Sequence, residues 1–173
     1  MMMRLFNLRL RLTPLKKRNK LLQKKGMKIG KRCEIYGSVT FGNEMYLIEI
    51  GDDVHITSGC RFLTHDGGVF VLHNLFEDSK HLDLFGKIII GNNVFIGNNC
   101  IILPNVRIGN NVIIGAGSIV TRDIPDNSVA VGVPCKAIHS IEEYHQKAIQ
   151  NGDNTYGQSA KHKYDYLKKK HNL

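Results

Sequence analysis

A six-residue unit repeats six times without a break between Ile90 and Pro125: IGNNVF, IGNNCI, ILPNVR, IGNNVI, IGAGSI and VTRDIP. The first position of each unit is aliphatic, and the fifth is Val, Cys, Ser or Ile. A helix repeats its apolar residues at spacings of three and four, and a half-buried strand at two, so a period of six indicates neither. Short fixed periods are typical of a solenoid whose rungs bury a shared core. With three units to a triangular rung, six units make two rungs.

The same phase continues towards the N-terminus, with two irregular intervals. Earlier units begin at Ile29, Ile35, Phe41, Ile50, Ile56 and Phe62. Nine residues separate the third and fourth of these starts, which predicts a bulge or extended corner at residues 44–47. Twenty-eight residues separate Phe62 from Ile90, which is no multiple of six, so we expect residues 65–87 to leave the coil. Long loops in compact domains are uncommon and often functional, and we interpret this one as an active-site loop.

These periods predict an all-β solenoid over residues 29–139, flanked by capping segments because an exposed rung would leave strand edges unpaired. Residues 1–28 form a basic arm, in which Thr13 is predicted as an N-cap, Pro14 as the first helical residue and Gly26 as the stop. Upstream leucines also fall at helical spacing, so the arm is predicted to be amphipathic, and a membrane-surface role suits it. The leucines in question are Leu5, Leu8, Leu12 and Leu15.

The segment 140–173 is predicted to contain a helix and a polar tail. Ser140 and Glu143 fit a capping box, in which each side chain bonds to the backbone amide of the other, and the helix should run to about Gln150. Residues 153–173 are polar and rich in lysine, so we expect a tail that packs on a partner or is partly disordered.

Charge and composition restrict the class of protein and the partners that it could contact. The length of 173 residues suits one domain, no apolar stretch is long enough to span a bilayer, and the N-terminus lacks the apolar region of a secretory signal. Residues 1–32 carry twelve Lys or Arg and no acid, whereas residues 33–150 carry seven bases and thirteen acids. The arm could contact anionic lipid, nucleic acid or an acidic polymer, or be the solvated face of a helix. Nucleic acid ranks last, since no RNA-binding aromatic signature accompanies the bases.

The four cysteines have no CxxC spacing and are interpreted as small buried hydrophobic residues rather than disulfides or metal ligands. Reduced cysteines suit the cytoplasm. We therefore expect a cytoplasmic protein, and peripheral membrane contact through its arm is one of the settings that its charge allows.

The run from IGNNVF to VGVPCKAI resembles the hexapeptide-repeat acyltransferases, particularly the galactoside and maltose acetyltransferases and the sugar or polysaccharide O-acetyltransferases. The resemblance covers residues 29–140, about two thirds of the chain. Its most specific part is IGAGSIVTRDIP followed by VGVPCKAI, which is similar to the coenzyme A-binding end of that family. The resemblance implies a left-handed parallel β-helix, acetyl-CoA as acyl donor without a metal, and a homotrimer with active sites between subunits.

A histidine on the loop that leaves the coil is the catalytic base of that family, and the matching residue is His65 in FLTHDGG. A sugar hydroxyl is a poor nucleophile until its proton is accepted, and imidazole titrates near neutral pH. The competing histidines are His55, which faces outward from a hexad, and His73 and His81 within the loop. An acid should fix the tautomer of the base. The candidates on the loop are Glu77, Asp78 and Asp83.

Six positions match the coenzyme-binding residues of the family: Asn98, Ala116, Thr121, Arg122, Lys136 and His139. The resemblance implies that the Asn98 amide stabilises the oxyanion and that Arg122 and Lys136 meet phosphate. His139 stands where relatives carry an arginine. Gly37 and Met45 stand where the galactoside enzyme binds its acceptor, so a free galactoside is not supported.

The predicted function is acetyl-CoA-dependent O-acetylation of a sugar or glycan hydroxyl by direct transfer, with amino-sugar N-acetylation as a near variant. A zinc lyase of the γ-carbonic anhydrase type is an alternative of another class. It needs three imidazoles that converge from adjacent rungs and a neighbour, whereas His65, His73 and His81 share one loop. A non-catalytic structural solenoid is the third interpretation.

Overall fold

The computed structural model describes residues 2–173, apart from the side chains of residues 2–4 and 16. The first residue of the predicted arm, Met1, lies outside this range. The described chain forms two compact units, one that extends to Ile141 and one from Glu142 to Leu173.

Successive strands of the first unit fall in turn on three sheets. The first sheet contains β1 (Lys28–Ile29), β4 (Ile48–Ile50), β7 (Ile88–Ile90) and β10 (Val106–Ile108). The second contains β2 (Glu34–Ile35), β5 (Val54–Ile56), β8 (Val94–Ile96), β11 (Val112–Ile114), β13 (Ser128–Val131) and β14 (Lys136–Ser140). The third contains β3 (Thr40–Phe41), β6 (Arg61–Phe62), β9 (Ile101–Ile102) and β12 (Ile119–Val120). Neighbouring strands pair in parallel, except β13 with β14. The predicted coil of parallel strands is therefore confirmed.

The core lies inside the three sheets and is built from the first and fifth hexad positions. Ile96, Cys100 and Ile114 are fully buried, and Val94 is 2% exposed. The fourth position turns the corner with a positive φ, as at Asn111, where φ is 54°. Asparagine tolerates this left-handed conformation better than most residues. Along one corner these side chains also bond to each other, since Asn93 Nδ2 donates to Asn111 Oδ1 at 2.9 Å and Asn111 Nδ2 donates to Asn127 Oδ1 at 2.8 Å.

Both irregular intervals fall at one edge of the coil, between a strand of the third sheet and the next strand of the first. We call this edge the third corner. On the first rung it contains a 3₁₀ turn, Met45–Leu47, and on the second rung it contains the loop with α3 (Val69–Leu75) and a further 3₁₀ turn, Glu77–Ser79. The two ends of this loop are joined, because Gly86 N donates to Thr64 O at 2.9 Å.

The arm contains two helices, α1 (Met2–Leu12) and α2 (Leu15–Gln23). Leu22 of α2 is fully buried, and Gly26 follows the helix with a φ of 91°. The predicted cap is wrong, because Thr13 Oγ1 donates back to Arg9 O at 2.7 Å at the end of α1 and α2 has no side-chain cap. No helix among residues 2–173 is long and apolar enough to cross a bilayer.

The second unit contains two helices, α4 (Ile141–Asn151), whose first residue still belongs to the first unit, and α5 (Ala160–His171). The end of α4 is close to the predicted one. The tail forms α5 instead of the disordered segment that its composition allows. Ser159 caps this helix by accepting from His162 N at 3.2 Å. Asp153 Oδ1 holds it further by accepting from Tyr166 at 2.7 Å and Lys170 at 2.6 Å. The helix is therefore stabilised by polar contacts, which the periodic spacing of apolar residues in a sequence does not predict.

Candidate active site

The imidazole of His65 faces a carboxylate at the third corner. His65 Nδ1 lies 3.4 Å from Glu44 Oε2, and the two side chains are 49% and 17% exposed. A carboxylate at Nδ1 favours the tautomer with the proton on that nitrogen and leaves Nε2 as the acceptor. This is the arrangement that a general base needs.

Glu44 is itself held by its surroundings. Burial is the largest single influence and raises its pKa, but hydrogen bonds from Thr64, its own backbone and His65 together hold the pKa below its ordinary value. Thr64 is fully buried, and its hydroxyl donates to Glu44 Oε2 at 2.8 Å. A Cβ at Gly42 would meet Thr64 Oγ1 at 2.7 Å, so this position needs glycine for close approach. Glu44 is therefore a fixed carboxylate at neutral pH.

The predicted orienting acids are wrong. Glu77 pairs with Lys80 inside the loop at 2.5 Å, Asp78 accepts from Ser79 at 3.3 Å, and Glu44 occupies the place beside His65. Asp83 is an exposed loop residue.

A signal for Glu44 was present in the sequence. The first two rungs pair with an offset of 21 residues, since Thr40 lies opposite Arg61. The same offset carries residue 44 to residue 65. The pairing becomes visible only when the two irregular intervals are superimposed on one edge of the coil.

A cleft of about 430 Å³ opens beside His65. Its walls combine apolar side chains with a few polar groups: Leu63, His65, Asp66, Gly67, Leu84, Phe85, Leu103, Pro104, Asn105 and Thr121. The ring of Phe85 lies edge-on to His65, with centroids 6.3 Å apart. An apolar cleft with few polar groups is the usual form of a small-molecule site.

The other predicted histidines have different surroundings. His73 Nε2 lies 2.7 Å from Leu82 O, and because a carbonyl only accepts, this nitrogen is a donor. His55 lies on the outer side of the second sheet between Tyr36 and Phe95, with its Nδ1 3.7 Å from Glu34. Across the part of the chain that the structure describes, no three His, Cys, Asp or Glu side chains are grouped to hold a metal ion.

Four of the six predicted coenzyme residues lie on two edges of the coil. Thr121 follows β12 at the third corner and lines the His65 cleft, with Arg122 exposed next to it. Asn98 and Ala116 lie on the second corner, between the second and third sheets. They are stacked on adjacent rungs, since Gly117 N donates to Asn98 O at 2.7 Å. Within one chain the structure thus brings Thr121 to His65 and places Asn98 and Ala116 on another edge.

Lys136 and His139 both lie on β14, the antiparallel strand of the second sheet. They pair with Val131 and Val129 of β13. The β13–β14 turn begins at the second corner, where Ile119 N donates to Gly132 O at 3.1 Å.

The two positions of the galactoside acceptor site carry no side chain that is open to a ligand. Met45 is 1% exposed in its 3₁₀ turn. A Cβ at Gly37 would meet Arg11 Cα at 2.8 Å, because the arm packs against this corner.

Comparison with known proteins agrees with this fold. The family model of the bacterial transferase hexapeptide (six repeats) matches residues 87–122. Protein CapG of Staphylococcus aureus is 49% identical over 136 residues, which are 78% of this chain and 77% of that protein. Further curated relatives at 41% identity are longer, and the chain covers 46% of one and 56% of others.

Two solved structures are similar over most of their length. A maltose O-acetyltransferase from Clostridium difficile 630 has a TM-score of 0.57 at 31% identity, covering 80% of this chain and 84% of that one. A galactoside acetyltransferase in complex with coenzyme A has a TM-score of 0.64 at 29% identity, covering 84% and 82%. The chain belongs to the hexapeptide-repeat acetyltransferases.

Proposed function

We propose that this chain is an acetyl-CoA-dependent O-acetyltransferase that acts on a sugar or glycan hydroxyl, with His65 as general base. The observation that carries the proposal is the pairing of His65 with the Glu44 carboxylate at the edge of an open cleft. The maltose O-acetyltransferase and the galactoside acetyltransferase with coenzyme A support the donor and the class of acceptor.

The chemistry proceeds by direct transfer. Glu44 holds the proton on Nδ1 of His65, and Nε2 accepts the proton of the acceptor hydroxyl as its oxygen attacks the thioester carbonyl. The C–O bond forms, the C–S bond breaks, and the imidazolium returns its proton to the departing thiolate. The Glu44 carboxylate stabilises the imidazolium while it exists.

The coenzyme would be held by residues from two edges of the coil, Asn98 and Ala116 at the second corner and Thr121 and Arg122 at the third. The Asn98 amide would stabilise the oxyanion, and the small Ala116 would let the pantetheine lie against the corner. Arg122 and Lys136 would meet phosphate, where fixed cations are effective. His139 would take the place beside the adenine.

We propose that a site of this kind is shared between subunits of a homotrimer of left-handed coils. Support comes from the placement of His65 and Asn98 on different edges of one chain, since two edges meet in one cleft when subunits pack side by side. The loop at 65–87 also exposes Phe70, Leu75 and Phe76, which are 70%, 66% and 53% exposed. Large exposed apolar side chains in one segment are typical of an interface.

In this proposal residues 29–139 are the catalytic domain, residues 1–28 the arm and residues 140–173 a C-terminal appendage. We place the enzyme in the cytoplasm, because its four cysteines are free and buried, which suits a reducing compartment.

The test is thiol release from acetyl-CoA with a panel of maltose, amino sugars, galactosides and acidic polysaccharides. The buried cysteines keep the protein's own thiol signal low. His65→Ala should lower kcat on the active acceptor by about 100- to 10,000-fold. His81→Ala is the matched control, since His81 is exposed on the same loop. The proposal is contradicted if His65→Ala keeps wild-type turnover, or if no acceptor increases the rate of thiol release from acetyl-CoA. Preferential turnover of an amino sugar would assign N-acetylation instead.

A further inference from the structure

Helix α1 has two apolar sides, of which only one is packed. Phe6 and Leu10 face the coil and are 8% and 0% exposed. Leu5, Leu8 and Leu12 face away from it and are 61%, 55% and 77% exposed. We call these three residues the outer leucines. Three adjacent leucines on one side of a helix indicate a surface that is covered by something else.

The outer leucines continue into a groove of about 720 Å³ between α1 and α2. Leu21 of α2 adds to its apolar lining. The same groove is bordered by four cations, Arg9, Lys17, Lys20 and Lys24. Its lining contains no acid, and the first acid of the sequence is Glu34. The surface therefore combines apolar side chains with cations.

The positive charge of the groove decides which kind of molecule could cover this surface. A second copy that docked by the same surface would bring the four cations against themselves, since a two-fold interface is self-complementary. A nucleic acid would neutralise the cations and leave the leucines uncovered, and the lining offers no aromatic ring on which a base could stack. An anionic phospholipid surface satisfies both parts, because acyl chains accept leucines and headgroup phosphates attract Lys and Arg.

We propose that the outer leucines and the groove behind them dock on an anionic phospholipid bilayer. The outer leucines enter the boundary between headgroups and acyl chains, and Arg9, Lys17, Lys20 and Lys24 contact lipid phosphates. This inference does not depend on acetyl transfer. A soluble acceptor should be acetylated equally well with or without the outer leucines.

Flotation of the full-length protein with vesicles tests the charge requirement. We expect binding to vesicles that contain phosphatidylglycerol, weak binding to phosphatidylcholine alone, and loss of binding at high salt. Lys17→Gln with Lys20→Gln should weaken binding about 30-fold, since each cation near an anionic surface contributes about fivefold. Lys161→Gln with Lys163→Gln is the matched control and should bind like the wild type. Equal binding to both vesicle types, or equal loss in the control, overturns the proposal.

Insertion of the leucines can be read separately, because the chain contains no tryptophan. Leu12→Trp introduces a single fluorophore on the outer side of α1, and its emission should shift to the blue and be quenched by brominated lipid. Ile149→Trp, at a 71% exposed position in the second unit, should do neither. An unshifted Leu12→Trp in phosphatidylglycerol vesicles overturns the proposal. A blue shift that rises with protein concentration in the absence of lipid also overturns it, in favour of self-association.

Discussion

Replacing Glu44 by glutamine tests the pairing on which the proposed chemistry depends. Glu44→Gln keeps the size of the side chain and an oxygen that can accept from Thr64, but it removes the negative charge next to His65. An imidazole without charge is little affected by this change. The imidazolium that forms during transfer loses its counter-charge, so the effect should fall on kcat.

The distance between His65 Nδ1 and Glu44 Oε2 sets the size of the expected loss in kcat. At 3.4 Å, opposite unit charges attract by about 5 kcal/mol at an effective dielectric constant of about 20 and by about 1.2 kcal/mol in bulk water. His65 is half-exposed and Glu44 is mostly buried, so a value of about 2–3 kcal/mol is reasonable for this setting. Since 1.36 kcal/mol corresponds to a factor of ten, kcat should fall about 30- to 150-fold.

The assay is thiol release at saturating acetyl-CoA and acceptor, with unfolding in urea as a check on stability. Glu34→Gln is a matched control, because Glu34 lies 3.7 Å from His55 on the outer side of the second sheet. It removes the same charge from another histidine and should leave kcat unchanged. In a His65→Ala background, Glu44→Gln should have almost no further effect, because the two residues act as a unit. Wild-type kcat in Glu44→Gln, or additive losses in the double variant, would refute the reasoning.

Three further predictions concern the same corner and the coil. The pKa of Glu44 is lowered in the fold, so its contribution to stability is present above its ordinary pKa and is lost as pH falls through the folded value. The difference in free energy of unfolding between wild type and Glu44→Gln, measured in urea, should therefore shrink in acid. A difference that does not change with pH would contradict this. Gly42→Ala places a Cβ 2.7 Å from Thr64 Oγ1 and should cost about 1–3 kcal/mol of stability while lowering kcat, whereas unchanged values of both would show that Thr64 does not position Glu44. Asn111→Ala should be less stable in urea than Asn111→Gly by about 1 kcal/mol, because φ is positive there, and the reverse order would argue against a strained corner.

Much of the coil could be predicted from the sequence because each hexad position meets the same local requirement on every rung. Ile96 and Ile114 stack in one column, so an aliphatic residue is required at both. The positive φ of Asn93 and Asn111 likewise requires a residue that tolerates it. A requirement repeated at a fixed period is visible without any knowledge of tertiary contacts.

The features that could not be predicted in this way depend on contacts that do not recur at a fixed spacing in the sequence. Thr13 is a residue type that commonly caps the start of a helix, but its hydroxyl donates instead to Arg9 O at the end of α1. Helix α5 depends on Asp153, which joins Tyr166 and Lys170 across a turn. Glu44 is an intermediate case, because the 21-residue offset places residue 44 opposite residue 65 but does not show that the two side chains meet. Pairwise contacts of this kind decide the candidate site more than they decide the fold.

The position of the site on the third corner has a structural reason. An insertion within a strand would shift its register and move inward side chains outward, whereas an insertion at a corner leaves the strands on both sides in phase. Phe41 still lies opposite Phe62, and Phe62 opposite Ile102, although the segments that follow them differ in length. The corner can therefore carry both Glu44 and the His65 loop while the coil beneath holds them rigidly. The proposed base and its orienting acid project from adjacent rungs and are positioned by strand pairing, so their separation should change little when a substrate binds.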